Sequence, residues 1–312
     1  VKFHKPLWEE GVLLSPQHFQ QQNVFNSYIY ATVIKLMGEF KWGCFRCEFD
    51  QQTLELGKIK LDELQACLPD GTLIDLQSGS GSVEVRDINS LPMRARNTVL
   101  LALPVYQAHV PNLVDENGAG NTPRRFVKKF EQVEDLFSAE GAELAVEQLN
   151  LQIRFDFEDN DDYITCPIGV VEKNENGALI WSKDYIPPLL SITGSEVLLS
   201  CLNRITLLVL SRIDNLSARR RARSENTVDF SVSDSTLFWF LHGLNTIYPE
   251  LKHLNDYPQQ HPEELYKLLV RLLGMLYTFR VSESVNEMEP YDHFDLFGTF
   301  NRLELKIRSL LD

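Results

Sequence analysis

The apolar residues change their period twice along the chain. Ser15 can cap a helix, Pro16 suits its first position, and Gln17 to Met37 runs on without a breaker. Its apolar positions (Phe19, Val24, Phe25, Tyr28, Ile29, Ala31, Ile34) spread broadly around the helix, which predicts packing against something large. From about Lys41 to Leu190 short β-rich runs take over: Trp42–Phe49, Thr53–Leu61, Leu64–Leu68, Thr72–Leu76, Ser82–Arg86, Thr98–Tyr106, Glu131–Phe137, Leu149–Phe157, Tyr163–Glu172 and Ala178–Ser182. Pro69-Asp-Gly71 and Asn174-Glu-Asn-Gly177 are hairpin-type turns. In Leu149–Phe157 the odd positions are apolar and the even ones polar, the mark of a strand with one wet face. Short strands with turns at this spacing predict an antiparallel β-sandwich.

After Pro187-Pro188 the period becomes helical. Thr193-Gly-Ser-Glu196 reads as a capping box, followed by Leu198, Leu202, Ile205, Val209, Ile213 and Leu216. A second seam holds Leu237, Leu241, Leu244, Tyr248 and Leu251, with Pro249 expected to kink or break it. Pro262-Glu-Glu opens a third helix (Leu265, Leu268, Leu272, Met275, Phe279), and a last one carries Phe300, Leu303, Ile307 and Leu310. Seams spaced three and four apart predict a four-helix bundle. The predicted class is therefore α+β: an N-terminal helix and β-sandwich over 1–190, then a helical bundle over 191–312.

Composition narrows the function. Apolar residues make up 44% and charged ones 24%, an ordinary globular balance. No apolar run approaches the ~18 residues needed to span a bilayer, and the opening residues hold no signal-peptide core, so a cytoplasmic protein is expected. The net charge is −14, with 28 acids against 17 bases in residues 1–192. Such a chain is a poor match for nucleic acid or anionic lipid, which leaves proteins as partners.

Catalytic chemistry is hard to find. Five dispersed cysteines do not describe a disulfide framework. In a regular strand Cys44 and Cys47 would point to opposite faces, so the one CxxC predicts neither a metal nor a redox pair. The acidic run from Asp156 to Asp162 lacks the central glycine and terminal glutamate of a calcium loop and reads as a solvated turn. Arg219, Arg220, Arg221 and Arg223 complement the end of the first bundle helix. Seven histidines form no HExxH, no Gly-x-Ser-x-Gly elbow occurs, and Gly79 and Gly81 belong to no phosphate loop. No enzyme, metal or cofactor is predicted. The stretches Gln77–Ser82 and Val114–Arg125 look the most flexible.

One segment stands out: Pro6-Leu-Trp-Glu-Glu-Gly-Val-Leu-Leu-Ser-Pro-Gln-His-Phe-Gln-Gln-Gln22 is too dense in Trp, Pro and Gln for helix packing alone to select. It resembles the opening of type VI secretion baseplate subunits of the TssK family. Pro290-Tyr-Asp-His-Phe-Asp-Leu-Phe-Gly-Thr-Phe-Asn301 resembles the same family, as does the order of helix, sandwich and bundle. The resemblance implies a homotrimer built like a phage receptor-binding protein, with shoulder, neck and head. It implies that the shoulder binds the wedge subunits TssF and TssG, and that the head binds the membrane-complex subunits TssL, TssM and TssJ at the cytoplasmic face of the inner membrane. The chain stops at Leu311-Asp312, where the head is expected to begin, and so resembles a headless fragment.

Trp8, Glu9, Gly11, Gln17 and His18 are the candidate residues, as an ordered lead segment and subunit contact. Trp8, a large aromatic in an extended lead, is expected to be buried. Phe238, Trp239 and Phe240 beside the Leu237 seam give the bundle a second apolar side suited to self-association. Two other functions remain open at this point. One is an unrelated β-sandwich binding carbohydrate or another ligand through Trp42 or Trp181; the other is a metal-dependent hydrolase using residues 156–162.

Overall fold

The computed structural model describes residues 3–76, 83–114, 122–138, 140–224, 232–280 and 282–311. Two compact units result, Val1–Lys183 and Asp184–Asp312. The two stretches expected to be most flexible fall largely outside the described residues.

The first unit combines helix α1 (Pro16–Leu36) with antiparallel strands. Strands β1 (Gly43–Phe49), β3 (Leu61–Cys67) and β4 (Leu73–Leu76) form one sheet in the order β1-β3-β4. The expected strand over Thr53–Leu61 is instead the short helix α2 (Gln51–Glu55) followed by the two-residue strand β2 (Lys58–Ile59). Asp50 explains the change: its carboxylate accepts the backbone N–H groups of Gln52 and Thr53 and caps a helical turn that the β-branched residues alone do not reveal. β2 pairs with β5 (Arg86–Asp87), where a longer run from Ser82 was expected.

A four-stranded sheet, in the order β11-β10-β6-β9, holds the core of the unit. It joins β6 (Arg96–Pro104), β9 (Gln152–Phe155), β10 (Tyr163–Lys173) and β11 (Leu179–Trp181). In β6 Val99, Leu100, Leu101, Ala102 and Leu103 are all buried, because both faces of this strand are covered. Leu151, Ile153 and Phe155 are buried between half-buried Gln152 and Arg154, as the alternation predicts. β1 packs on β10, where Phe49 stacks on Trp181 with ring centroids 3.9 Å apart. Gly169 leaves room for that indole, since an added Cβ would sit 2.7 Å from it.

Two further strands, β7 (Phe126–Glu134) and β8 (Gly141–Leu149), pair with each other over nine residue pairs as a two-stranded sheet among the described residues, and Phe126 also bridges to Leu113. The sequence pattern predicted a single strand over Glu131–Phe137 and missed β8, whose Glu143 and Glu147 interrupt its apolar positions.

The second unit is helical: α3 (Glu196–Ser224), α4 (Val232–Asp256), α5 (Pro262–Tyr277) and α6 (Leu296–Leu311). α3 packs on α4 and α6, and α5 packs on the same two. Leu198, Leu202, Ile205 and Val209 of α3 are buried, together with Leu244, Leu251, Leu265, Leu272 and Ile307 of the others. Fully burying each such side chain contributes about 1.5–3 kcal/mol.

One local expectation fails in this unit, and of the kink or break expected at Pro249 the break does not occur. Ser195, not Thr193, caps α3 by accepting the Leu198 N–H at 3.4 Å, because Ile192–Gly194 winds into a 3-10 turn capped by Ser191. Pro249 lies inside α4 and does not end it.

The second sequence motif is the start of α6. Asp292 accepts the N–H groups of Phe294 and Asp295, and Asp295 accepts that of Gly298 at 2.9 Å. Tyr291 and His293 beside it are hydrogen-bonded at 2.8 Å, with the His293 ring stacked on His261.

Candidate interaction surface

The lead before α1 folds back along the helix. Phe3 meets Tyr28 and Tyr106 edge-on, and Gln21 Nε2 donates to the His4 carbonyl at 2.8 Å. The chain then reverses through Glu9–Val12, where the Val12 N–H reaches the Glu9 carbonyl at 3.4 Å. Gly11 has φ +86°, a left-handed conformation that only glycine adopts cheaply. His18 closes the helix start on Ser15: its Nδ1 accepts the Ser15 N–H at 3.3 Å and lies 2.9 Å from the Ser15 hydroxyl.

Trp8 lies over the rings of His18 and Phe19, with centroids 5.8 and 6.4 Å away. Of the five candidate residues, Trp8 and His18 are thus brought together. Glu9 and Gly11 form the turn between them, and Gln17 is exposed in the first helical turn. The expected burial of Trp8 does not hold, since the side chain remains 47% exposed. Its ring finds only one wall to lean on.

The helix itself is two-sided. Val24, Phe25, Tyr28, Ala31 and Thr32 are half-buried against the unit, whereas Phe19, Ile29, Tyr30, Val33 and Leu36 are exposed. Of the 21 residues of α1, all described, none is fully buried. Leu13 and Leu14 before it and Met37 after it are exposed too. Ile29, Tyr30, Val33, Leu36 and Met37 make an exposed apolar side of the kind that marks an interaction site, separated from Phe19 by Gln22 and Asn26, which are hydrogen-bonded to each other.

The inner side of α1 rests on the turn between β3 and β4. A Cβ at Gly71 would lie 2.8 Å from Ala31 Cα, and Gly71 itself has φ +88°. Arg125 holds this turn from below. Its side chain is nearly buried, and its guanidinium donates to the Pro104 carbonyl at 3.0 Å, Asp70 Oδ2 at 2.8 Å and Thr72 Oγ1 at 2.6 Å.

The other candidate chemistry resolves into packing. Cys44 and Cys47 do not point to opposite faces; the shift in β1–β3 register between Cys44 and Arg46 is a bulge that turns both thiols inward. Cys47 and Cys166 both hydrogen-bond to Cys44, and those bonds together with burial push their thiols well above the usual range. In the acidic run, Glu158 is taken up by Arg86 at 2.7 Å and by the Phe155 N–H at 2.8 Å. Among the described residues no group of three or more His, Cys, Asp or Glu side chains is placed to hold a metal ion. Trp181, one of the two tryptophans offered for ligand stacking, is occupied by Phe49. No helix among the described residues is long and apolar enough to cross a membrane.

Sequence reasoning found the lead segment but missed the outer apolar side of α1. The signal was present, because Phe19, Tyr30, Val33 and Met37 recur at helical spacing opposite Phe25, Tyr28 and Thr32.

Comparison with known proteins agrees with this layout. The family described as bacterial type VI secretion, VC_A0110, EvfL, ImpJ and VasE, matches residues 18–312. The baseplate component TssK1 of Pseudomonas aeruginosa PAO1 is 27% identical over 312 residues, covering 99% of this chain and 69% of that protein. A chain in the solved TssK–TssF–TssG baseplate subcomplex superposes with a TM-score of 0.89 at 32% identity, covering 100% of this chain and 99% of that one. A chain of the type VI baseplate complex gives 0.90 at 31% identity, with complete coverage of both. This chain belongs to the TssK family of type VI secretion baseplate proteins, which are structural components and not enzymes.

Proposed function

We propose that the chain is a trimeric baseplate adaptor whose first unit docks the wedge subunits TssF and TssG through the lead segment and the outer side of α1. One observation carries this reading: a 21-residue helix with no buried residue keeps an apolar side uncovered in the isolated chain. The solved relative assembled with TssF and TssG supports those two as the occupants. Trp8, Glu9, Gly11, Gln17 and His18 serve to fix the lead against the start of α1, so that Trp8, Leu13 and Leu14 present a further apolar surface there.

In this reading the sheets of the first unit close as a β-sandwich shoulder and the four long helices of the second form a bundle neck. Phe238 and Trp239 of α4, both exposed, supply the self-association surface of the trimer. Contacts with TssL, TssM and TssJ belong to parts of the family's proteins other than these two units, and the assembly sits at the cytoplasmic face of the inner membrane. The test is co-purification with TssF–TssG together with light scattering. A mass three times the 35.9 kDa of one chain, and capture of TssF–TssG but not of TssL or TssM, is the expected result. A monomer that captures nothing would refute it.

A further inference from the structure

Residues 289–293, which lead into α6, form a strap across the start of α5. The Tyr266 hydroxyl donates to the Glu289 carbonyl at 2.6 Å. The Tyr291 ring lies 5.5 Å from that of Tyr266 and 6.4 Å from that of His261. His293 then stacks on His261, with ring centroids 5.5 Å apart and planes 19° from parallel. Both histidines are buried, His261 with 7% and His293 with 1% of its surface exposed.

His261 is also the cap of α5. Its Nδ1 accepts the Glu263 N–H at 3.1 Å, and Pro262 follows at the start of the helix. An accepting nitrogen keeps its lone pair, so this imidazole is neutral and carries its proton on Nε2. A further proton has only Nδ1 to go to. There it ends the cap, faces the positive end of α5 and sets a charge, out of water, against the His293 ring.

The charged groups on the elements around His261 are engaged elsewhere. Glu263 and Glu264, in the first turn of α5, are both held by Lys267, at 3.0 and 2.9 Å. On the strap, Asp292 accepts the Phe294 and Asp295 N–H groups, and Glu289 pairs with Arg302. Tyr291 stays a phenol, because burial, with Glu263 and Asp292 nearby, pushes its hydroxyl well above the usual range; it lies 2.8 Å from His293 Nδ1. Before the cap, the Ile192 N–H donates to the Gln260 carbonyl at 2.8 Å and brings no charge.

We infer that His261 is an acid-released latch: neutral, it caps α5 and seats the strap 289–293, and protonated it lets go of both. The unfolded chain takes up a proton on this histidine below about pH 6.5, whereas the folded chain resists it. Stability held through the latch is therefore complete above that pH and is lost as the pH falls below it. The device lies in the helical unit and is independent of wedge docking.

The test compares the whole chain with His261→Asn, because asparagine caps a helix well and does not titrate in this range. Unfolding midpoints are followed from about pH 7.5 down to about pH 5.5, above the range where most carboxylates take up protons. The remaining histidines are common to both chains. The midpoint of the unaltered chain is expected to fall by about 3 °C or more beyond that of the variant. Nitrogen NMR of the histidine-labelled chain is expected to show the His261 ring neutral, with its proton on Nε2, at the upper pH. Amides of residues 291–293, corrected for the intrinsic effect of pH on exchange, are expected to lose protection as that ring takes up its proton.

Parallel falls in the two midpoints would overturn the inference, and so would a His261 ring already charged at the upper pH. Should His261→Asn fail to fold, the unaltered chain decides. A neutral ring whose protonation frees the strap amides supports the latch, and strap amides that stay protected after the ring is protonated overturn it.

Discussion

Substituting Gly71 by alanine isolates the seat of α1 on its unit. The residue has φ +88°, where a Cβ costs about 1–2 kcal/mol. The new Cβ would also lie 2.8 Å from Ala31 Cα and 2.9 Å from Ala31 Cβ, so the obstacle is helix backbone rather than a flexible side-chain end. Forcing such a contact costs a further ~1–3 kcal/mol, relieved only by moving the helix. Gly177 provides the control: its φ is +78°, yet nothing lies within 4 Å of its Cβ position. Gly177→Ala should therefore lose only the conformational part. Urea unfolding of both variants is expected to show a gap of about 1–3 kcal/mol, the sum of the steric cost alone. In a thermal melt a unit of this size shifts by roughly 2–4 °C for each kcal/mol. Hydrogen exchange in residues 24–34 should rise in Gly71→Ala only. Equal losses in the two variants, with α1 equally protected, would show that the helix does not rest on this turn.

Three other perturbations probe the same architecture. Arg125→Met removes the guanidinium from Asp70 Oδ2 and the Pro104 carbonyl; because Asp70 is partly exposed and keeps the Thr72 N–H on its other oxygen, the loss should be about 2–3 kcal/mol, below the range for a fully buried pair, as read by urea unfolding. Trp8→Ala should cost only about 1–2 kcal/mol, since half of the ring is already in water, and a larger fall in the melting midpoint would mean the lead packs more tightly than described. The hydrogen bonds from Arg204 hold the Glu304 carboxyl below the usual carboxylate range. The depressed folded value means that this stability is present above the unfolded pKa of about 4.3 and is lost as pH falls through the folded value. Glu304→Gln should therefore be less stable at neutral pH, and its deficit should shrink in acid; a constant deficit across pH would contradict the pairing.

The sequence carried the helical unit well, because Leu198, Leu202, Ile205 and Val209 repeat at a spacing that nothing but a buried helix side explains. The strand β6 was legible as the run Thr98–Tyr106, though its burial on both faces was not read there. What escaped were features decided by single side chains or by register. Asp50 converts a strand-like run into a helical turn, and Ser195 displaces Thr193 as a cap, through hydrogen bonds that periodicity does not encode. The bulge after Cys44 reverses the expected direction of one thiol relative to the other. β8 was illegible because its alternating glutamates and apolar residues are both exposed, so no buried face imposes a pattern. The lead segment was found by its composition and its resemblance to a family. Its exposure was not, because a tryptophan in an extended segment gives no sign of whether a second wall exists.

The most direct test of the central claim is the affinity of the chain for purified TssF–TssG, measured beside that of Tyr30→Asp with Val33→Asp. Both side chains are exposed on the outer side of α1, so the variant should fold and keep the mass of the unaltered chain. Binding by the unaltered chain, and a loss of about tenfold or more in the variant, is the predicted outcome. Equal binding by both chains, or none by either, would contradict the assignment of this helix as the wedge-docking surface.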